Sequence, residues 1–547
     1  MAQLNVNLLE TAKLRFAHHY LTRLQTARKL YAIGGENLKR ALTNLERDMG
    51  QINEGQHWTA PPLDLQDAAQ ACSAYATAGE SLLDLRWPPD IQLRWLESAL
   101  EAARYLGNTE AESLHLRQLG DAFTRTGSYI AAKESYEAAY QLTAPADMLP
   151  ERAVIVNGWA AVLYLMGEYD AAEARFNDAL KIGQRVNAPG QIGRALNGLG
   201  SIARMRSQVA DALTFHQQAL DQYTAADDPI GIAETLLKLG ETRFAMADLP
   251  GAQDFQERAL QQYESIKYDR GIATALSQLA YTLVDMGELD QSQACSERAL
   301  AIWQHLGEPR EQAITLTGLG EVARRNNDNE VARDYFIQAL DLVESIGDQM
   351  GTAKMLSDLG GLGIAMMDFD AAINYYLRAR DLFDVLGDVS GKTMCEAELG
   401  NVYYRQGTYA EAEKYYNHAV QVCRDINEPR GLIITLNGLA RTTTALNKYD
   451  DARAMFNEAL QAARTIGIPD FILLTMTGMA SWVHQAQADI ERTLNILGMA
   501  LYMDGNSAML RSAVDRTLNK LDIDWPPDEI EAAMLRGKGL NLDELVL

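Results

Sequence analysis

Asparagine and arginine recur in this sequence at multiples of a 40-residue interval. Three asparagines share one register of the interval: Asn157, Asn197 and Asn437. Three arginines share another: Arg125, Arg325 and Arg405. A primary amide both donates and accepts hydrogen bonds, so a row of asparagines is suited to holding the backbone of an extended peptide. A guanidinium binds a carboxylate through two parallel hydrogen bonds, so this pattern predicts binding rather than catalysis.

The same interval governs the small residues, which indicates the scaffold that carries these side chains. One register contains only Gly or Ala: Gly120, Ala160, Gly200, Gly240, Ala280, Gly320, Gly360, Gly400, Ala440 and Ala480. A second contains only Ala: Ala139, Ala179, Ala219, Ala259, Ala299, Ala339, Ala379, Ala419 and Ala459. The spacing is unbroken from residue 113 to about residue 490. A fixed period of this length is the signature of a solenoid, in which each repeat buries its apolar face against its neighbours.

Each repeat is expected to contain two helices joined by tight turns. The turn within a repeat carries glycine at Gly127, Gly167, Gly287 and Gly407. The turn between repeats carries Gly107, Asn187, Asp227, Gly307, Gly347, Gly387, Asn427 and Gly467. These residue types tolerate positive φ at a helix C-terminus. Glycine inside a helix costs about 1 kcal/mol against alanine, so the glycines of the small register predict that a Cβ there would separate the paired helices.

The flanks of the repeats are predicted to be helical caps. We expect an N-terminal cap over residues 1–110, a repeat array over 111–505, and a C-terminal segment over 506–547. Apolar spacing predicts helices over 8–33, 37–58 and 65–85 in the first cap, with Gly34 and Gly35 ending the first of them. A capping helix over 507–521 and an amphipathic stretch over 528–547 are expected at the other end.

Composition narrows the classes of partner. The net charge of −25 and the pI of about 4.8 argue against binding to nucleic acid or to an anionic membrane. Four scattered cysteines form no CxxC pair, which favours a reducing compartment. The sequence has no apolar run near 18 residues and no signal-peptide core. We therefore expect a soluble, cytoplasmic protein.

The sequence offers no support for catalysis. It contains no HExxH, no G-x-S-x-G, no glycine-rich phosphate loop and no metal-spaced cluster of His and Cys. His18 and His19 are adjacent in a predicted helix, where their side chains diverge by about 100°, so they are poorly placed to share a metal. No enzymatic activity, cofactor or metal is expected.

The repeat resembles the tetratricopeptide repeat. That family has a small residue at position 8 of each repeat, Ala at 20, an aromatic residue at 24 and Ala at 27. With Gly120 at position 8, the first repeat begins at residue 113. Positions 20, 24 and 27 then hold the expected residues in the first, second and eighth repeats: Ala132, Tyr136 and Ala139; Ala172, Phe176 and Ala179; Ala412, Tyr416 and Ala419. Repeats three to five depart from the aromatic position: His216, Gln256 and Ser296. The match spans about 390 residues.

The 40-residue period is similar to that of kinesin light chains, of bacterial response-regulator phosphatases and of the sensor of the maltose-regulon activator. Residues 42–58 and 82–107, and the end of the chain, resemble the flanks of the repeat array in bacterial STAND NTPases, where that array is the sensor. No G-x-x-x-x-G-K-[ST] motif is present, so P-loop binding of ATP is not expected. The resemblance implies a sensor arm without its NTPase, either excised or free-standing.

In the tetratricopeptide family, positions 2, 5, 9, 12 and 13 of each repeat line a concave groove. Over ten repeats these 50 positions hold nine basic and five acidic residues, a net charge of +4 within an acidic chain. A locally positive groove attracts anionic partners. The resemblance implies these binding residues: Asn157, Arg194, Asn197, Arg204, Phe244, Tyr281, Arg324, Arg325, Asn401, Tyr404, Arg405, Asn437 and Arg441.

Plainer interpretations remain open for the same residues. Arginine on a helix face often serves solubility and intrahelical pairing. The asparagine register is equally suited to capping or bridging neighbouring helices. We assign four aromatic residues at position 24 to core packing: Phe176, Phe336, Tyr376 and Phe456.

The sequence therefore predicts an all-α, right-handed superhelical solenoid of about ten tetratricopeptide-like repeats with helical caps. The predicted function is recognition of a peptide or protein segment in the concave groove, as the sensor region of a STAND-type signalling protein. The first alternative is a free-standing interaction scaffold, and the second is a sensor for a small-molecule inducer.

Overall fold

The computed structural model describes residues 2–33, 36–61, 65–80, 82, 87, 89–143, 148–502, 508–521 and 523–539. These ranges form 26 α-helices and contain no β-strand. The chain divides into two compact units, Met1–Gly318 and Leu319–Leu547, and the boundary falls within one helix, α15. The predicted all-α class is confirmed. Of the predicted segments, Gly34, Gly35, most of 81–86 and all of 540–547 lie outside the described residues.

The first compact unit begins with four helices and continues as helix pairs. The first four are α1 (Ala2–Ile33), α2 (Glu36–His57), α3 (Gln66–Gly79) and α4 (Pro89–Tyr105). The pairs are α5 (Thr109–Arg125) and α6 (Tyr129–Leu142), α7 (Leu149–Leu165) and α8 (Tyr169–Arg185), α9 (Pro189–Met205) and α10 (Val209–Ala225), α11 (Pro229–Ala245) and α12 (Leu249–Ser265), and α13 (Asp269–Met286) and α14 (Leu289–Leu306). Each pair is one 40-residue repeat.

The pairs continue through the second compact unit. They are α15 (Pro309–Arg325) and α16 (Asn329–Ser345), α17 (Gln349–Ala365) and α18 (Phe369–Leu386), α19 (Val389–Arg405) and α20 (Tyr409–Asp425), α21 (Pro429–Ala445) and α22 (Tyr449–Ile466), and α23 (Pro469–Gln487) and α24 (Ile490–Tyr502). Two further helices follow, α25 (Ala508–Leu521) and α26 (Pro527–Gly537). We call the odd-numbered member of each pair, α5 to α23, a first helix.

The helix ends follow from residue types at the repeat boundaries. Five first helices begin with proline, whose fixed φ suits the first turn and whose missing N–H is not needed there: Pro189, Pro229, Pro309, Pro429 and Pro469. Five aspartates before a helix accept a hydrogen bond from a backbone N–H of its first turn: Asp228, Asp248, Asp348, Asp368 and Asp388. All twelve turn residues predicted to have positive φ have it, between 51° and 80°.

The small register at position 8 makes room for a ring, which corrects the expected cause. A Cβ on Gly120 would lie 2.9 Å from the ring of Tyr136, and one on Gly360 would lie 2.8 Å from the ring of Tyr376. The obstacle is therefore the aromatic residue at position 24 of the same repeat, rather than the backbone of the paired helix. Gly240 differs, because its repeat has Gln256 at position 24 and its nearest atoms are Gln256 Cγ and the Ala252 carbonyl oxygen.

Glycine at position 6 packs on the other face of the preceding repeat's ring. A Cβ on Gly158 would lie 2.5 Å from Cε1 of Tyr136, so this ring is held between Gly120 and Gly158. Gly318 occupies the same position after Ser296, and a Cβ added to it would have no atom within 4 Å. The contact between glycine at position 6 and a ring therefore occurs only where position 24 of the preceding repeat is aromatic.

The alanine register at position 27 is fully buried. All nine alanines from Ala139 to Ala459 have no exposed surface. At the chain ends other cores take over. Leu24, Leu45 and Tyr75 pack together among α1–α3, and α23–α26 share a core that includes Met476, Leu497 and residues from both final helices.

Candidate recognition surface

The asparagines at position 5 bridge neighbouring first helices. Asn157 has no exposed surface, and its amide donates to the carbonyl and to the side-chain oxygen of Gln191, at 3.1 and 3.0 Å. Asn437 is 2 % exposed, and its amide donates to Thr475 Oγ1 at 2.9 Å. These contacts favour the bridging role that the sequence left open for this register.

Asn197 makes the same bridge at a half-buried position. Its amide donates to Thr235 Oγ1 at 2.8 Å, and its carbonyl oxygen accepts from His216 Nδ1 at 3.0 Å. Burial lowers the pKa of His216 to about 4, so the ring is neutral at neutral pH and has one N–H to donate. The bridge explains how His216 is accommodated at a position that is aromatic in other repeats.

Glu241 links three successive first helices of the first compact unit. It accepts from Lys238 at 2.8 Å, from Gln278 at 3.0 Å and from Arg204 at 3.5 Å. Burial acts to raise the pKa of Glu241, but the attraction of Lys238 and Arg204 outweighs it and the pKa lies below its usual value. Arg204 therefore lies on α9 with its charge compensated by Glu241, and its role in binding stays a prediction. Arg194 is exposed, and its charge lies near the Tyr223 hydroxyl.

Large apolar side chains are exposed or half-buried on these first helices and on the one before them. Tyr281 is 50 % exposed, Leu165 48 % and Met205 46 %, and Phe244 is half-buried. They lie on α7, α9, α11 and α13, and each of these first helices contacts the next. A row of apolar side chains is thus presented across four successive repeats. Such a row is a common mark of a protein-binding surface.

In the second compact unit, Arg324 and Arg325 are both tied to Glu321. The Arg324 guanidinium donates two hydrogen bonds to the carboxylate, each 2.7 Å long, and Arg325 Nε donates at 3.0 Å. Burial acts to raise the pKa of Glu321, but these hydrogen bonds lower it below its usual value. Both arginines are exposed, so they can exchange this partner for another carboxylate.

Further along the second compact unit, Arg441 lies over the ring of Tyr404, with Cζ 4.8 Å from the ring centroid. This distance permits a cation–π interaction. Arg405 is exposed on the same helix as Tyr404. Asn401 is half-buried and donates to Glu398 Oε2 at 3.1 Å. The structure therefore brings four of the predicted residues together on α19 and α21.

Sequence reasoning missed position 6 of the repeat, which shares this surface. Lys238 contacts Glu241, and Glu398 contacts Asn401, in each case three residues apart on one helix. Residues three apart are neighbours on a helix, so the helical spacing was enough to predict that position 6 lies beside position 9. Position 6 adds one lysine and two acids, Asp358 and Glu398, so the predicted surface charge falls from +4 to +3. Burial raises the pKa of Asp358 to about 6, and the charge of Glu321 adds to this.

A separate cleft of about 730 Å³ lies among the N-terminal helices. Its lining includes Arg28 and Lys29 of α1, Ser73 and Thr77 of α3, and Leu106. Arg28 is committed to Glu80 and to the Thr77 carbonyl, at 2.8 and 2.9 Å, whereas Lys29 forms no ion pair with any described residue. No sequence pattern indicates this cleft, because it depends on how three distant helices pack.

Within the described ranges, no group of three or more His, Cys, Asp or Glu side chains is placed to hold a metal ion. No helix in those ranges combines the length and the apolar character needed to cross a membrane.

The model of the tetratricopeptide repeat family matches this chain in overlapping segments, over residues 151–225, 191–265, 231–305, 271–345, 311–384 and 392–465. The chain belongs to the tetratricopeptide repeat family. The helix pairs of this region, their buried alanine register and the aromatic residues at position 24 of most repeats are the structural counterpart of that match. This tetratricopeptide repeat protein is thus a scaffold of a kind used for protein–protein interaction, a fold typical of proteins without enzymatic activity. Among curated protein sequences, no relative matches it.

Solved structures give distant likenesses. A Rap protein complexed with competence and sporulation factor is 14% identical, with a TM-score of 0.48 over 70% of this chain and 99% of that one. Aspartyl phosphate phosphatase F from Bacillus subtilis is 16% identical, with a TM-score of 0.43 over 63% and 91%. The STAND protein PH0952 from Pyrococcus horikoshii, which has a tetratricopeptide repeat sensor, is 13% identical, with a TM-score of 0.44 over 86% and 89%. Likenesses this distant do not indicate what the tetratricopeptide repeat protein binds.

Proposed function

We propose that this protein recognises a segment of a partner protein on its first-helix surface. The observation that carries the proposal is the row of exposed or half-buried apolar side chains on α7, α9, α11 and α13, the last three of which also carry the charged group around Glu241. Apolar anchors supply most of the free energy of protein recognition, and surrounding charges fix orientation and register. The two kinds of group are adjacent on this surface.

The occupant is a peptide or protein segment rather than a compact ligand. The row extends over four repeats, so only an extended or helical chain contacts all of it at once. Buried Asn157 and Asn437 do not take part, because their amides already donate within the chain. Each compact unit, taken by itself, offers contact residues for such a segment: the first has Arg204, Phe244 and Tyr281, and the second has Arg324, Arg325, Tyr404, Arg405 and Arg441.

We further propose that this recognition serves as the sensor step of a STAND-type signalling protein in the cytoplasm. The sequences of residues 42–58 and 82–107 support the first part, since they resemble the flanks of STAND repeat arrays. The four free cysteines support a reducing compartment. A free-standing scaffold would use the same surface, so the binding proposal holds for either arrangement.

Site-specific photocrosslinking tests the surface. A photoreactive phenylalanine analogue replaces Tyr281 in the full chain, and a second protein carries the analogue at Ile130 as a control. Ile130 is 70 % exposed and lies on α6, a second helix, so it reports contacts away from the first-helix surface. Irradiation in the native lysate is expected to capture the same protein repeatedly from position 281 and not from position 130.

The captured partner is then purified and its affinity measured for wild type and for the variant Arg204→Gln/Phe244→Ser. Loss of a hydrophobic anchor and of an orienting charge is expected to weaken binding by about 100-fold. Equal affinity for both proteins, or equal capture from both positions, would place binding elsewhere and end the proposal.

A second candidate function is supported by the N-terminal cleft. Its volume of about 730 Å³ lies in the usual range for small-molecule sites, and Lys29, which forms no ion pair with any described residue, adds a positive charge to its lining. An anionic small-molecule inducer would fit that lining. Thermal-shift screening of wild type against Lys29→Glu tests it: a metabolite that stabilises only wild type supports the cleft, and one that stabilises both equally excludes it.

A further inference from the structure

The N-terminal cleft of the first compact unit is lined by hydroxyl groups and cations. Its walls come from α1, α3 and the start of α5, and they include Arg28, Lys29, Ser73 and Thr77. No Asp or Glu is among the described residues that line it. The hydrogen bonds around these side chains determine which donors and acceptors the cleft offers, and so which chemistry a ligand must have.

The hydroxyl of Ser73 can only accept a hydrogen bond from a ligand. Gln118 Nε2 donates to the carbonyl of Ala76 at 3.3 Å, which fixes the amide, because the reverse orientation would set two oxygens against each other. Gln118 Oε1 therefore accepts from Nδ1 of His115 at 3.0 Å. Burial lowers the pKa of His115, so the ring is neutral and its Nε2 carries no hydrogen. Ser73 Oγ must then donate to Nε2, at 2.8 Å, and only its lone pairs remain for a ligand.

Thr77 has the same polarity one turn further along α3. Its Oγ1 donates to the carbonyl of Ser73 at 3.1 Å, so this hydroxyl hydrogen is also committed within the chain. Residues four apart lie on one face of a helix. The two hydroxyl oxygens are thus a pair of acceptors on one wall of the cleft, and a ligand that contacts both must supply hydrogen-bond donors.

Helix α1 sets the opposite requirement, because it presents donors and a positive charge. Arg28 donates to Glu80 at 2.8 Å and to the carbonyl of Thr77 at 2.9 Å, which uses two of the five N–H groups of its guanidinium and fixes the orientation of the others. Glu80 compensates the charge of Arg28. Lys29 forms no ion pair with any described residue, so its ammonium supplies the net positive charge of the lining. An anionic group on the ligand would neutralise that charge.

We propose that the N-terminal cleft binds a small anion that carries hydroxyl groups. The anionic group contacts Lys29 and Arg28, and the hydroxyl groups donate to Ser73 and Thr77. This inference rests on the second candidate function proposed above and adds the chemical class of the inducer. That class is a hydroxylated carboxylate or a phosphate ester of a polyol, which share the same arrangement of charge and donors.

Other classes of ligand match the lining less well. A fatty acid supplies the charge but covers the two hydroxyl oxygens without giving them donors, which costs free energy. An amino acid supplies donors, but its ammonium brings a further positive charge beside Lys29 and Arg28. A neutral sugar has the donors without the charge. A nucleic acid is repelled by the net charge of −25 on the chain.

Isothermal titration calorimetry of the full chain with gluconate tests the proposal. Hexanoate has the same carbon chain and charge without the hydroxyl groups, and glucose has hydroxyl groups without the charge. Gluconate is expected to bind at least about tenfold tighter than either. Glucose 6-phosphate is titrated as well, because its affinity relative to gluconate shows which anionic group the cleft prefers.

Two variants separate the two requirements. Thr77→Val keeps the branched side chain and removes an acceptor, so it should weaken gluconate binding about tenfold and leave hexanoate binding unchanged. Lys29→Gln should weaken the binding of gluconate and hexanoate alike, and leave that of glucose unchanged. Thr22→Val is the matched control, because the Thr22 hydroxyl also donates to a carbonyl four residues earlier, at 2.9 Å, but lies on α1 outside the lining of the cleft. It should bind gluconate as wild type does.

The outcomes distinguish this inference from the function on which it rests. The inference is overturned if neither gluconate nor glucose 6-phosphate binds, or if Thr77→Val and Thr22→Val change gluconate binding equally. If hexanoate binds as tightly as gluconate and depends on Lys29, the cleft stands as a site for an anionic small molecule and only the proposed ligand class fails.

Discussion

Replacing Gly158 by alanine should destabilise the second repeat, although alanine is the better helix former. The new Cβ would lie 2.5 Å from Cε1 and 2.6 Å from Cζ of Tyr136. Carbon atoms in contact are ordinarily about 3.5–4.0 Å apart, so the ring must move by about 1 Å. It has no room to do so, because Gly120 packs on its other face and its hydroxyl is hydrogen-bonded to Asp121.

The magnitude follows from two opposing terms. Overpacking of a buried site costs about 1–3 kcal/mol, and a ring held on both faces belongs at the upper end. Alanine returns about 1 kcal/mol of helix propensity. We therefore expect the free energy of unfolding of this region to fall by about 2 kcal/mol.

Gly318→Ala is the matched control. It occupies the same position of its repeat, but Ser296 replaces the ring and nothing lies within 4 Å of the added Cβ. Only the propensity term remains, so this variant should be more stable by about 1 kcal/mol. In a Tyr136→Ser background, which copies Ser296, Gly158→Ala should likewise lose its penalty.

Hydrogen exchange resolved by helix is the appropriate assay, because repeat arrays do not unfold in one step. Amides of α5 to α7 should exchange about 30-fold faster in Gly158→Ala than in wild type. Unchanged or slower exchange in these helices would refute the packing argument, and a penalty that persists without the ring of Tyr136 would refute its stated cause.

Three further predictions concern the interior. Gly240→Leu should lower the thermal midpoint through overpacking of about 1–3 kcal/mol, since Gln256 Cγ is 3.1 Å from the position of its Cβ; an unchanged midpoint would disprove this. Arg117→Met should cost about 3 kcal/mol in urea unfolding, because the buried guanidinium is ion-paired with three carboxylates that would lose their partner; equal stability would show that these pairs contribute nothing net. Burial lowers the pKa of His216 to about 4, whereas its pKa in the unfolded chain is about 6.5. Between these two pH values only the unfolded chain takes up the proton, so the free energy of unfolding should fall by up to about 3 kcal/mol as the pH drops through this window. His216→Gln, which copies Gln256, should lose that part of the pH dependence, and an identical pH profile in urea unfolding would contradict the assignment.

The sequence was sufficient for the repeats because their register is set by local chemistry. Small residues recur at position 8 of all ten repeats and alanine at position 27 of nine, and many turns with positive φ carry Gly, Asn or Asp, so these columns are readable without coordinates. The cause of the glycine register was less accessible. Whether Gly120 faces a helix backbone or the ring of Tyr136 depends on the depth at which the second helix packs.

The recognition surface was only partly predictable. The spacing placed Arg204 and Tyr404 correctly on the first helices, but it could not show that Asn437 turns toward Thr475 of the next repeat. That choice depends on a side-chain rotamer and on a hydroxyl 38 residues away. The boundaries of the caps at residues 110 and 505 stay predictions.

The contacts of Glu241 determine how binding to the first compact unit is expected to work. Arg204, Lys238 and Gln278 already bind the carboxylate of Glu241. An incoming acidic group must replace that carboxylate, so its net binding free energy is only the difference between its own interaction with these residues and that of Glu241. If the proposed recognition takes place on this surface, it is an exchange reaction, in which a poorly matched partner gains no binding free energy and a well-matched one gains little. The contacts that Glu241 already makes would then favour low affinity and fast release.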